Sequence, residues 1–170
     1  MQTISAPAYS CSMDTNTDNL NFSGRAPSAN VQEEFGMTIG NVSRLWRDRV
    51  NQRLKPLGLN QSKGRALLYL SRVPDGVTQV DLARVLGIEA PTVTRLVKQL
   101  EDAGWLTRRT SPEDARRKML HVTAKAKKII VRIDEEIRQL RAATVGRLTN
   151  EQAAAGLAAL QATQRYLSEL

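Results

Sequence analysis

Apolar residues recur in steps of three and four from Phe35 through Ile39, Val42, Leu45 and Trp46 to Val50. That spacing places them on one face of a helix, with Arg44, Arg47, Arg49 and Arg53 around the rest. Pro56 stops it, with Gly58 in the turn. A second helix over about 61–72 carries Ala66, Leu67, Leu70 and Val73, and Pro74-Asp75-Gly76 reads as a turn. A third, two turns long, follows in TQVDLARVLGI. There Thr78 and Asp81 form a variant capping box, Val80, Ala83 and Leu86 with Leu82 face the core, and Gly87 ends the helix. The next helix, 89–103, has the clearest stripe: Val93, Leu96, Val97 and Leu100, with Pro91 in its first turn and Gly104 behind it.

Beyond Gly104 the period shortens to two. Residues 105–109 and 118–123 read as strands, with Leu120 and Val122 on one face and Met119 and His121 on the other. The stretch SPEDARR is the tip of the hairpin between them. A long helix follows over 124–148, with Ile129, Ile130, Ile133, Ile137 and Leu140 inward. Thr149 and Gln152 cap a last helix, 150–169, rich in alanine, with Leu157, Leu160 and Leu167. Its alanines suit close packing between helices, and also simple helix propensity. The fold class is therefore mainly α with a small β wing: a winged helix-turn-helix domain plus a helical dimerisation region. Residues 1–33 show no period and a Ser, Asn, Thr, Ala and Pro bias, which predicts a disordered tail. Cys11 falls within it, with no basic neighbour to activate the thiol.

Charge sharpens this outline. Residues 1–34 carry one base and four acids, while 35–170 carry 24 bases and 13 acids. A body this basic suits a polyanion. A single cysteine permits no internal disulfide, no apolar run is long enough to span a bilayer, and the N-terminus lacks a signal-peptide pattern, so a cytoplasmic location is expected.

A short helix, a glycine turn and a second helix with a small, polar, basic outer face make a helix-turn-helix. The outer face of 89–103 holds Thr92, Thr94, Arg95, Lys98 and Gln99, and Pro91 in the first turn joins the DNA-binding candidates. Arg95 can read guanine O6 and N7, Thr92 and Thr94 can meet a thymine methyl or a phosphate, and Lys98 suits the DNA backbone. The hairpin after it is a wing. Residues 108–128 hold eight bases and two acids. A narrow minor groove attracts an inserted arginine, and bases such as Arg117 and Lys118 suit phosphates. Asp114 is expected to hold a nearby guanidinium through paired hydrogen bonds. A solvated, ion-paired loop is the competing reading of the same charges.

The run LARVLGIEAPTVTRLVKQLEDAGWLTRRTSPEDARRKMLHVTAKAK resembles the MarR-type winged helix-turn-helix regulators, most of all their SlyA branch. Asp114-x-Arg116 in the wing and the Pro91-x-x-x-Arg95-Leu96 pattern of the preceding helix carry the resemblance, which spans about 35–170. It implies a homodimer, with 34–58 and 124–170 forming the dimerisation region around a DNA-binding domain at 59–123, and it implies that Arg116 enters the minor groove with Asp114 supporting the wing. It also implies a pocket for a small phenolic or aromatic carboxylate, for which Trp46, Arg65 and Tyr69 are the candidate lining residues. Two departures stand out: Ala90 occupies a position where the family often has a helix-capping residue, and the tail is long. Bottom-up, the helices outside the winged domain carry more apolar surface than that domain can cover, which also points to a dimer on a two-fold operator.

Catalytic chemistry has little to draw on. His121 is the only histidine and lies in a basic strand, no metal-ligand spacing or phosphate loop occurs, and Glu135 and Glu136 neighbour Arg132 and Arg138. No cofactor is expected, and the chain does not read as an enzyme. The expected function is a sequence-specific, dimeric transcription regulator of double-stranded DNA, with recognition helix 89–103 in the major groove and wing 108–120 in the minor groove. A low-specificity architectural DNA binder is the alternative, and a ligand sensor whose DNA binding is its output is a third reading.

Overall fold

The computed structural model describes residues 30–170; the predicted tail and Cys11 lie almost wholly outside them. By contacts the chain divides into Met1–Asn41 and Val42–Leu170. Helix α1, Val31–Leu54, begins in the first unit, and the elements described next belong to the second. They are α2 (Gln61–Leu70), β1 (Val77–Thr78), α3 (Gln79–Leu86), α4 (Ala90–Asp102), β2 (Leu106–Thr110), β3 (Lys118–Val122), α5 (Ala124–Ala143) and α6 (Asn150–Ser168).

The helix starts four residues earlier than Phe35, so Val31–Glu33 belong to α1 and not to the tail. The Asn30 side chain accepts the Gln32 N–H at 3.0 Å, which satisfies one of the orphan amides of a first turn. Downstream, α1 ends at Leu54, and Pro56 sits in a short 3-10 turn closed by Gly58 at φ 71°. The core gathers Val50, Leu54, Ala66, Leu67, Leu70, Leu82, Leu86, the whole Val93–Leu96–Val97–Leu100 stripe, Leu106, Leu120, Ile133, Ile137 and Leu140. Burying such a stripe is what stabilises a helix as short as α3 or α4.

Two expectations about packing need correction. Val80 does not face the core; it is 67% exposed, whereas Leu82 is fully buried. Two residues apart on a helix of 3.6 per turn point to nearly opposite sides, and Leu82 with Leu86 fixes the phase. The helix after the wing also ends early, at Ala143, and a 3-10 turn over Val145–Arg147 leads to α6.

The hairpin forms as read, with Leu106 opposite Val122 and Thr110 opposite Lys118. A third strand, β1, joins it by pairing Val77 with Leu120 and Thr78 with Met119, giving the order β1-β3-β2. Gly76 makes this possible. Its φ is 77°, and a Cβ there would stand 2.7 Å from the His121 ring, so the strand enters the sheet pressed against that imidazole.

Candidate nucleic-acid interface

The recognition helix is positioned from its buried side. Val93, Leu96, Val97 and Leu100 lock α4 into the core, which leaves Pro91, Thr92, Thr94, Arg95 and Lys98 exposed. Its N-cap is Glu89, whose side chain makes no capping bond. Ala90 is thus the first helical residue and not the cap; the first amides of the helix have no side-chain cap, and an N-terminus of this kind favours an anion. At the other end, the Lys125 ammonium donates to the Ala103 carbonyl at 2.9 Å and the Thr123 hydroxyl to the Gly104 carbonyl at 2.7 Å. Lys125 thus serves the end of α4.

A side-chain chain that the sequence did not reveal ties the motif together. The Gln79 amide N–H donates to the Thr94 hydroxyl at 2.7 Å, and that hydroxyl donates to the Ala90 carbonyl at 2.8 Å. From the other side, Arg108 on β2 donates to the Gln79 side-chain oxygen at 3.4 Å and pairs with Glu101 at 3.0 Å. Four side chains thereby link α3, α4 and the wing. Arg108, counted among the wing's bases, is committed within the protein. The i, i+7 spacing of Glu101 and Arg108 across a strand start gives no sequence signal for such a pair.

At the wing tip the Asp114 carboxylate accepts the backbone N–H of Arg116 at 2.9 Å, and its carbonyl accepts the N–H of Arg117 at 3.0 Å. This corrects the expected guanidinium pairing: Asp114 shapes the turn, and the Arg116 guanidinium has no side-chain partner among the described residues. Arg95 and Arg109 are likewise exposed and unpaired among them. Lys118 donates to the Thr110 hydroxyl at 2.7 Å, and Lys98 pairs with Asp102 at 3.4 Å on the surface. Arg117 lies close enough to Asp81 to contribute to lowering its carboxyl pKa, behind the larger effect of the Thr78 hydroxyl, which donates to it at 2.6 Å.

A cavity of about 270 Å³ lies among α1, α2 and α5 in the second unit. Trp46 and Arg65 line it; Tyr69 does not, and is half-buried against the core. Arg141, missed in the sequence, lines it too. The signal was there, since Arg141 follows Ile133 and Ile137 at successive four-residue steps on the inward face of α5. Arg65 also reaches the end of α3, 3.5 Å from the Val85 and Leu86 carbonyls. Among the described residues no three potential metal ligands cluster, and no helix is long and apolar enough to cross a membrane.

An exposed polar helix backed by a buried stripe, preceded by a short helix and followed by a basic β-hairpin wing, defines a winged helix-turn-helix DNA-binding protein. The MarR family model matches residues 57–117. The crystal structure of the transcriptional regulator PA3341 is 32% identical and superimposes with a TM-score of 0.73, over 80% of this chain and 99% of that one. The MepR–DNA complex of S. aureus is 25% identical over 78% and 97% of the two chains, with a TM-score of 0.72. The transcriptional regulator SlyA shares the fold at 21% identity, covering 79% of this chain and 94% of that one, with a TM-score of 0.71. This chain belongs to the MarR family. It is a DNA-binding transcription regulator, not an enzyme.

Proposed function

We propose that the chain acts as a homodimer that reads a pseudo-palindromic operator, with α4 in successive major grooves and the β2–β3 wing in the flanking minor groove. The observation that carries this is the set of exposed guanidiniums without protein partners, Arg95 on α4 and Arg116 at the wing tip, beside cations that are tied down. Leaving such groups unpaired has no advantage to a fold; it suits an external polyanion. Arg95 reads a guanine edge, with Pro91, Thr92 and Thr94 beside it. Lys98, Arg117 and Lys118 take phosphates, Lys98 exchanging Asp102 for one. Arg116 enters the minor groove along the path that Asp114 sets.

The domains follow the same division: 59–123 binds DNA, while 34–58 and 124–170 dimerise. Two guanidiniums, Arg65 and Arg141, over a wall of Trp46, Leu68, Ile133 and Ile137 suit a small aromatic carboxylate as effector. By its wing and recognition-helix motifs the chain resembles the family's SlyA branch.

The test is duplex binding against salt concentration, using sequences selected from a random pool. Affinity should fall steeply with salt, and Arg116→Ala should reduce the log–log slope by about 1. Arg95→Ala should cost about 1–3 kcal/mol on the selected site. Unchanged binding by both variants sinks the assigned roles. A specific-to-random affinity ratio near one would instead make the protein an architectural binder.

A further inference from the structure

We infer that Thr94 reads DNA with its methyl group, recognising the C5-methyl of a thymine in each half-site, because its hydroxyl proton is already donated inside the protein. The inference rests on α4 being the recognition helix. A threonine offers one O–H donor, two acceptor lone pairs and one methyl. In Thr94 the proton is donated to the Ala90 carbonyl at 2.8 Å, and one lone pair accepts the Gln79 amide at 2.7 Å. A base edge that needs a donor finds none here. The residue is nonetheless exposed, on the same face as Pro91, Arg95 and Lys98. One lone pair is left over, but the hydroxyl has no proton to give, and the one apolar feature that its methyl can meet in the major groove is the thymine methyl.

Gln79 and Arg108 are positioning residues in this scheme. Both hydrogen bonds at Thr94 fix its χ1 angle, since a rotation that turned the methyl away would break them. Gln79 is in turn held by Arg108 at 3.4 Å, and Arg108 by Glu101 at 3.0 Å. The chain therefore aligns one methyl on α4 with the start of the wing strand, and the same four side chains keep both reading elements in one geometry. It also explains why Arg108 is not spent on a phosphate.

The experiment uses the full chain and its selected operator, with each thymine replaced in turn by deoxyuridine, which removes only the methyl. One thymine per half-site should respond, binding about fourfold more weakly, the effect of one buried methyl group. Thr94→Ser, which keeps the hydroxyl, should lose that thymine-over-uracil preference. Thr94→Val, which keeps the methyl, should retain it. Gln79→Ala should bring the ratio toward one with an unchanged thermal midpoint, which a merely structural role would not do. If no thymine shows a preference that Thr94→Ser abolishes, or if Thr94→Val loses it while Thr94→Ser keeps it, the inference is overturned. Failure of the underlying reading is distinct: binding would then be indifferent to Arg95→Ala as well.

Discussion

At the scale of single residues, the wing shows how one carboxylate can shape a turn through the backbone and not through a cation. Asp114 accepts the Arg116 N–H at 2.9 Å, the local turn that aspartate and asparagine both favour. The two available substitutions therefore separate shape from charge. Asp114→Asn keeps an acceptor oxygen and removes the charge, so operator affinity should hold or tighten slightly. Asp114→Ala removes the acceptor, worth about 1 kcal/mol, and affinity should fall several-fold although a charge that repels phosphate has gone. Operator titration of the two variants decides it; equal affinities for Asn and Ala would remove Asp114 from the wing's geometry. The residue types of this site were legible, because Asp-x-Arg in a basic hairpin has few other uses. The partner of Asp114 was not, because charge spacing says nothing about which backbone amide a turn presents. The same limit hid Gln79, whose role depends on α3 and α4 meeting in space.

Among elements, legibility followed the number of repeats a pattern could show. Helix α4 displays four buried positions in register and was readable from end to end. Strand β1, two residues long, has no alternation to read and exists only because β3 offers Leu120 and Met119 as partners. Helix α3 lies between these cases: its ends were clear, but two turns left the phase open and Val80 was placed on the wrong side. Its start offers a pH test. The Thr78 hydroxyl accepts the Asp81 N–H at 3.2 Å and donates to its carboxylate at 2.6 Å, which, with Arg84 at 3.2 Å, lowers the Asp81 pKa from 3.8. A depressed folded-state value means that stabilisation is present above the unfolded value and is lost as pH falls through the folded one. Thermal midpoints should therefore drop below about pH 4, and less steeply for Asp81→Asn. Parallel slopes for the two proteins would show that Asp81 contributes nothing to acid sensitivity.

At the scale of the molecule, the outstanding question is what covers α6. The helix has a full capping box, Thr149 with Gln152, yet it buries no residue. Leu157, Leu160, Tyr166 and Leu167 stand 56%, 47%, 65% and 67% exposed. Helices in water gain most of their stability from packing an apolar face, so a 19-residue helix presenting leucines on its surface suits another protein surface. A second copy is the partner that the proposed two-fold operator requires. Leu160→Glu should then halve the mass measured by light scattering at micromolar concentration. Because no residue of α6 is fully buried within its own chain, helical circular dichroism of the winged domain should survive the change. Operator affinity should fall by about 10²-fold or more, since the second half-site is no longer delivered by the first. Isolated half-sites should bind the variant and the parent protein alike. A variant that keeps its full mass would move the interface away from α6, and one that loses half its mass but binds the full operator undiminished would show that each winged domain reads its half-site alone.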